Sequence, residues 1–241
     1  MSEFDFWCQT PLGRQLRAAE TAVLSQHLQS VFGYHLLMTG SSDCSLLQAS
    51  RISHCVVLHD PNAPEKPAGS VLRGCPEHLP IQNDSLDALV LMHSLEFSKD
   101  PHQVLREAER VLIPEGHLIV LGINPRSLWG VSRWLRLGRR EVPWRGKFRS
   151  LSCIKDWTSL LGFEWVRCDQ GYYRPPLQHQ GLLNKLAFME KLGTSVWPFW
   201  GGFYIVTVRK KVTGLTPIRP RWRTRSVVAS GWVDSASRRE L

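Results

Sequence analysis

The sequence predicts an α/β fold, and three observations within residues 79–125 carry that prediction. Residues 86–92 form a nearly unbroken apolar run, with Asp84 and Asp87 marking its start, as expected of a strand covered on both faces. A capped amphipathic helix follows. Asp100 is a good N-cap, Pro101 suits the first helical position, and Gln103 can complete a capping-box-like arrangement. Val104, Leu105, Ala108, Val111 and Leu112 share one stripe, while Arg106, Glu107, Glu109 and Arg110 face away. Pro114 stops the helix, Gly116 permits a turn, and residues 117–122 read as a second buried strand. A strand-helix-strand unit of this kind connects parallel strands in the right-handed sense.

The remaining elements follow in order. Thr10 caps a helix over 10–30 with Leu12, Leu16, Ala19 and Val23 on one face. Residues 34–38 read as the first strand, ending at Thr39-Gly40, and 46–51 as a helical fragment. Residues 55–58 read as a second strand ending at His59-Asp60-Pro61, 61–67 as loop, and 70–72 as a marginal edge strand. Beyond Asn124-Pro125 lies a basic, Trp-containing stretch, then a helix over 151–161 ended by Gly162. A strand over 163–173, an aromatic insertion over 174–201 and a last strand over 203–209 complete the pattern. The tail from 213 lacks apolar periodicity and is expected to be disordered.

Composition narrows the class. A chain of 241 residues with 43% hydrophobic content and ten tryptophans is globular, and it has no apolar run of transmembrane length. The acidic N-terminus has no signal-peptide pattern, and the six cysteines show no Cys-x-x-Cys spacing. The histidines show no His-Glu-x-x-His spacing, so a cytoplasmic, metal-free protein with reduced thiols is expected. The net charge of +9 is uneven. Eight basic residues against Glu141 give 126–149 a charge of +7, and nine against Asp234 and Glu240 give 209–241 another +7. The remainder therefore carries −5.

Leu79-Pro80, Ser85-Leu86-Asp87, His93-Ser94-Leu95-Glu96 and the run from Arg110 through Pro114-Glu115-Gly116, in that order and spacing, resemble a class I S-adenosylmethionine-dependent methyltransferase (a methyltransferase type 11-like domain). The resemblance implies a Rossmann-like, doubly wound, mostly parallel seven-stranded sheet with an antiparallel last strand. It places a single domain at 32–212, with 126–149 as a basic lid or insertion and 174–201 as an aromatic insertion. Residues 1–31 become a helical extension and 213–241 a basic disordered tail.

The resemblance also implies S-adenosyl-L-methionine as cofactor and a set of site residues. Such domains carry a Gly-x-Gly-x-Gly turn after the first strand, an acid after the second and often an acid near the third. Here Gly40 matches the first glycine, while Ser42 and Cys44 stand in place of the others, with Ser41 between. Asp60 matches the ribose acid. Cys75 occupies the place of the adenine-side acid, leaving Glu77, His78 and Leu79 to line that end through their backbone. Losing that carboxylate costs one charged hydrogen bond, about 1.5–3 kcal/mol, or about 10- to 150-fold in affinity. His93 and Leu95 follow the fourth strand, where the family lines its cofactor pocket.

Plainer readings stand beside these. Gly40 can be an ordinary turn glycine, Asp60 a turn former before Pro61, and His93 a satisfied histidine at a strand end. No nucleophile-base pair stands out; methyl transfer from a sulfonium mainly needs alignment. For the acceptor, Asn124, Trp129 and Arg133 are candidates. In this reading Leu128, Trp129, Trp134 and Leu135 cover an apolar substrate, with Arg133, Arg136, Arg139 and Arg140 outside. Segment 126–149 and the tail also suit RNA or an anionic surface. Two functions therefore remain: a methyltransferase, or a catalytically inactive methyltransferase-like protein that binds RNA or a protein partner.

Overall fold

A computed structural model describes residues 3–60, 70–135, 142–176 and 197–211. The loop expected at 61–67, most of the aromatic insertion, Arg136, Arg139 and Arg140 of the lid, and the tail lie outside the described residues. The chain opens with two helices, α1 (Glu3–Trp7) and α2 (Pro11–Gln29), before β1 (His35–Thr39). A 3-10 turn (Cys44–Leu47) leads to β2 (His54–His59) and β3 (Val71–Arg73). Next come β4 (Leu86–Met92), α3 (Ser94–Phe97), α4 (Pro101–Val111), β5 (Leu112–Ile123) and α5 (Leu128–Leu135). The described chain ends with α6 (Leu151–Leu160), β6 (Phe163–Gly171), a 3-10 turn (Pro198–Trp200) and β7 (Phe203–Lys210).

The strands form one seven-stranded sheet in the order β3-β2-β1-β4-β5-β7-β6. β7 runs antiparallel to both neighbours, while the pairs from β3 through β5 are parallel. The strand order reverses between β1 and β4, and a crevice opens there at the carboxyl ends of the strands. Alternation along the strands splits the core in two. Leu36, Met38, Val90, Met92, Ile119 and Leu121 face α2 through Leu16, Leu24 and Leu28. Leu37, Leu89, Leu91, Leu118 and Val120 face α4 through Val104, Leu105 and Ala108. Burying one such leucine contributes about 2 kcal/mol, so these two layers dominate stability. Among the described residues, no helix is long and apolar enough to cross a membrane.

Local expectations fare well, with instructive exceptions. Thr10 Oγ1 accepts the Gly13 N–H at 3.1 Å and Asp100 Oδ1 those of His102 and Gln103, so both N-caps form. The Gln103 side chain does not complete a capping box, because its Oε1 accepts from Arg106 Nε at 3.0 Å. Glu107 does not face away: its Oε2 accepts the Leu79 N–H at 2.9 Å and pairs with Arg110 at 2.8 Å. Leu112 opens β5 and pairs with Leu86, so the helix ends at Val111. The fragment expected at 46–51 is the 3-10 turn, capped by Asp43 through the Ser45 N–H at 3.0 Å. Asp87 does more than mark a strand start. Its Oδ2 accepts the N–H groups of Tyr34 and His35 at 2.9 and 2.8 Å and clamps the beginning of β1.

Candidate functional site

β1 ends in the turn that matters most. Gly40 has φ +93°, and a Cβ there would overlap the Met92 carbonyl oxygen at the end of β4. Only glycine lets β1 turn this close to β4. Thr39 Oγ1 meets Ser94 Oγ at 3.0 Å across the same gap. Ser41 Oγ donates to Asp5 Oδ1 at 3.0 Å and accepts from Arg17 Nη1 at 3.0 Å. The Ser42 N–H donates to Asp5 Oδ2 at 3.1 Å, and Ser42 Oγ lies 3.3 Å from His59 Nδ1.

At the end of β4, His93 sits in the left-handed region with φ 53°. Its Nε2 lies 3.0 Å from Glu20 Oε1 on α2, and its Nδ1 lies 3.1 Å from Glu96 Oε2 on α3. All three side chains are buried. Burial by itself would depress the imidazolium, but the Glu20 and Glu96 carboxylates outweigh it and raise its pKa to about 9. Burial also drives the Glu96 carboxyl upward, against the pull of His93 and of the Ile123 N–H that its Oε1 accepts. Phe4 of α1 covers the His93 ring at a centroid separation of 4.5 Å.

The far side of the crevice is built from the turn after β3. The His78 N–H donates to the Cys75 carbonyl at 3.0 Å, and Glu77 Oε1 accepts from Ser98 Oγ at 2.7 Å. Together these elements enclose a cleft of about 790 Å³, within the usual range for ligand pockets. Phe97, Lys99, Arg145 and Lys147 form its rim, and the Lys147 N–H is tied to the Glu96 carbonyl at 2.9 Å. A more open hollow of about 1130 Å³ lies along α2 and the Cys44–Leu47 turn, and shares Asp5, Ser42 and His59 with the cleft. The cleft includes residues from the carboxyl ends of β1, β2 and β4, where ligands of such sheets sit.

Of the residues expected at the cofactor, Gly40, Ser41, Ser42, Asp60, Glu77 and His93 line the cleft. His78, Leu79 and Leu95 do not: His78 is exposed, and Leu79 and Leu95 belong to the α4-side core. The three acceptor candidates lie elsewhere. Asn124 is buried, donates to the Phe199 carbonyl at 3.1 Å and accepts the Arg126 N–H at 3.0 Å. Trp129 is 1% exposed, stacks on Trp144 and packs edge-on against Trp7 and Tyr172, so it is core and not a lid. Arg133 Nε donates to the Trp144 carbonyl at 3.1 Å with its guanidinium over Phe148. Trp134 is the exposed one of the two tryptophans on α5.

Sequence reasoning missed Phe4, Asp5, His59, Phe97 and Lys99 at the cleft. Phe4 and Asp5 lie on a five-residue helix, too short for any periodicity to register. Nothing in the sequence ties them to a turn more than thirty residues away.

A sheet of this order, with a cleft across its switch point and a glycine-started turn at the end of β1, has the class I methyltransferase fold. The methyltransferase domain family matches residues 53–120. The chain is 30% identical over 212 residues to the uncharacterized protein YafS of Escherichia coli, covering 88% of this chain and 83% of that protein. It is 35% identical over 71 residues to the demethylmenaquinone methyltransferase of Chlamydia pneumoniae, covering 29% of this chain and 31% of that enzyme. A solved structure of a SAM-dependent methyltransferase from Thermotoga maritima superposes with a TM-score of 0.57 at 20% identity, over 79% of this chain and 89% of that one. The chain carries a class I S-adenosylmethionine-dependent methyltransferase domain and shares its family with YafS.

Proposed function

We propose that this chain is an S-adenosyl-L-methionine-dependent methyltransferase whose cofactor lies in the 790 Å³ cleft. The observation that carries the reading is the Gly40 turn. Its backbone runs against the end of β4, where a Cβ would overlap the Met92 carbonyl oxygen, and the turn it begins lines the cleft. In this reading Gly40, Ser41 and Ser42 hold the methionyl end, Asp60 the ribose hydroxyls, and the Gly74-to-Glu77 turn the adenine. Bound, the cofactor supplies an electrophilic methyl group on a sulfonium. The chain's own contribution is alignment and exclusion of water. His93 has a carboxylate on each ring nitrogen, so it positions the β4 end and is not free to take a proton from an acceptor.

The rim supports a further part of the reading. Exposed Lys99 and Lys147 offer cations to an acceptor carrying negative charge, on a lining that also holds the acids Asp60 and Glu77. All six cysteines are free, which fits the reducing cytoplasm. The test is calorimetric titration with S-adenosylmethionine and S-adenosylhomocysteine. Heats of binding and a thermal upshift are expected; neither signal at millimolar ligand would sink the proposal.

A further inference from the structure

We infer that α1 completes the cofactor site and that Asp5 is a positioning residue, holding the β1 turn in the shape that the missing glycines would otherwise permit. The inference rests on the methyltransferase reading and deepens it. In a Gly-x-Gly-x-Gly turn the second glycine presents bare backbone to a ligand; here Ser42 stands in its place with Ser41 before it, so the serine side chains must be kept aside. The structure shows how. The Ser41 hydroxyl is held between Asp5 and Arg17, and the Ser42 hydroxyl is directed at His59.

Asp5 organises this arrangement. One carboxylate oxygen receives Ser41 Oγ at 3.0 Å and Arg17 Nη2 at 3.2 Å, and the other receives the Ser42 N–H at 3.1 Å. The side chain is only 7% exposed, and the residue lines the cleft. Charge-assisted hydrogen bonds of this kind are the stronger ones, and burial spares them from solvent screening. Arg17 carries the tie further, reaching Met92 Sδ at 3.5 Å, so α1, α2 and the ends of β1 and β4 meet at one guanidinium. An isolated helix of five residues has no stability of its own. What holds α1 is this network together with Phe4, packed on His93 and Phe97, and Trp7, packed edge-on against Trp129. With α1 in place the cleft still measures about 790 Å³, so α1 is a wall and not a plug.

The test compares wild type with Asp5→Ala, Asp5→Asn and Phe6→Ala, the last on the exposed side of α1. S-adenosylmethionine affinity is read by calorimetry, and exchange of the Ser42 amide is read by hydrogen exchange without ligand. Asp5→Ala is expected to weaken binding by about 10- to 150-fold. Asp5→Asn should fall between it and wild type, and Phe6→Ala should bind as wild type does. The Ser42 amide should exchange faster in both Asp5 variants. Should Asp5→Ala fail to fold, the comparison rests on Asp5→Asn, which keeps the volume. Binding by the Asp5 variants within twofold of wild type overturns the inference and leaves the methyltransferase reading standing. Tighter binding overturns it too, by making α1 an obstruction. Absence of binding by wild type removes the cofactor reading itself, and this inference with it.

Discussion

Glu20 Oε1 lies 3.0 Å from Nε2 of His93, 73 residues away in sequence, and neither side chain is more than 1% exposed. The second Glu20 oxygen has no hydrogen-bond partner among the described residues. The pair, with Glu96, joins α2 to the end of β4 directly behind the cleft.

That pair gives the protein an alkaline weakness. The folded state holds the His93 proton up to a pKa of about 9, whereas an unperturbed histidine titrates near 6.5. The stabilisation is therefore complete below about pH 6.5 and is lost as pH rises through 9; it amounts to roughly 3 kcal/mol. His27 acts in the opposite sense. Burial and then Arg167 lower its pKa, so its contribution is lost as pH falls below about 6.5, outside the His93 window. Urea unfolding between pH 6 and 9.5 should show stability declining in wild type, with His93→Gln less stable than wild type at pH 6 because Glu20 and Glu96 lose their buried cationic partner. A wild-type profile that does not decline would refute the buried ion cluster.

Gly40→Ala should destabilise the fold before it affects any ligand. The new Cβ would overlap the Met92 carbonyl oxygen, and φ +93° is costly for any residue with a side chain. A loss of at least about 2 kcal/mol is expected. Thermal unfolding of the ligand-free protein checks it; an unchanged midpoint would mean that the turn sits farther from β4.

Glu107→Ala removes the acceptor of the Leu79 N–H and the partner of Arg110. An unsatisfied buried N–H costs about 1–3 kcal/mol. Hydrogen bonding to Arg110 holds the Glu107 carboxyl below its usual value. Its contribution is accordingly present above the ordinary carboxylate range and lost as pH falls through the depressed value. Chemical denaturation of the variant at pH 7 and pH 3.5 should show the difference from wild type shrinking at the lower pH. A difference that persists unchanged would place the stabilisation in packing instead.

Trp129→Ala should behave as a core truncation. Its ring is enclosed by Trp7, Trp144 and Tyr172, and its Nε1–H donates to the Arg174 carbonyl at 3.2 Å. A loss of about 3–5 kcal/mol is expected. The folded fraction should still bind S-adenosylmethionine with wild-type affinity. Weaker binding with unchanged stability would restore Trp129 to the ligand pocket.

Legibility varied along the chain for physical reasons. β4 and the caps of α2 and α4 were readable because they depend on neighbours within one or two turns. Glu107 was misread because a helix stripe drawn from apolar residues cannot show that a carboxylate is drawn inward by a backbone N–H at position 79. Trp129 was misread because α5 is apolar enough to suit either a lid or a core, and only its neighbours decide between them.

By itself the sequence determined the α/β class, the strand-helix-strand unit over 79–125 and the weakness of the glycine motif after β1. Those properties follow from local spacing, turn chemistry and residue type. Tertiary structure alone decided which of the candidate residues meet at the cleft, that His93 is held between two carboxylates, and that Asp5 reaches the serines at positions 41 and 42. Each of those contacts closes a loop between distant segments, and the ordering cost of closing it is met by burial in the assembled core, which no short stretch of sequence displays.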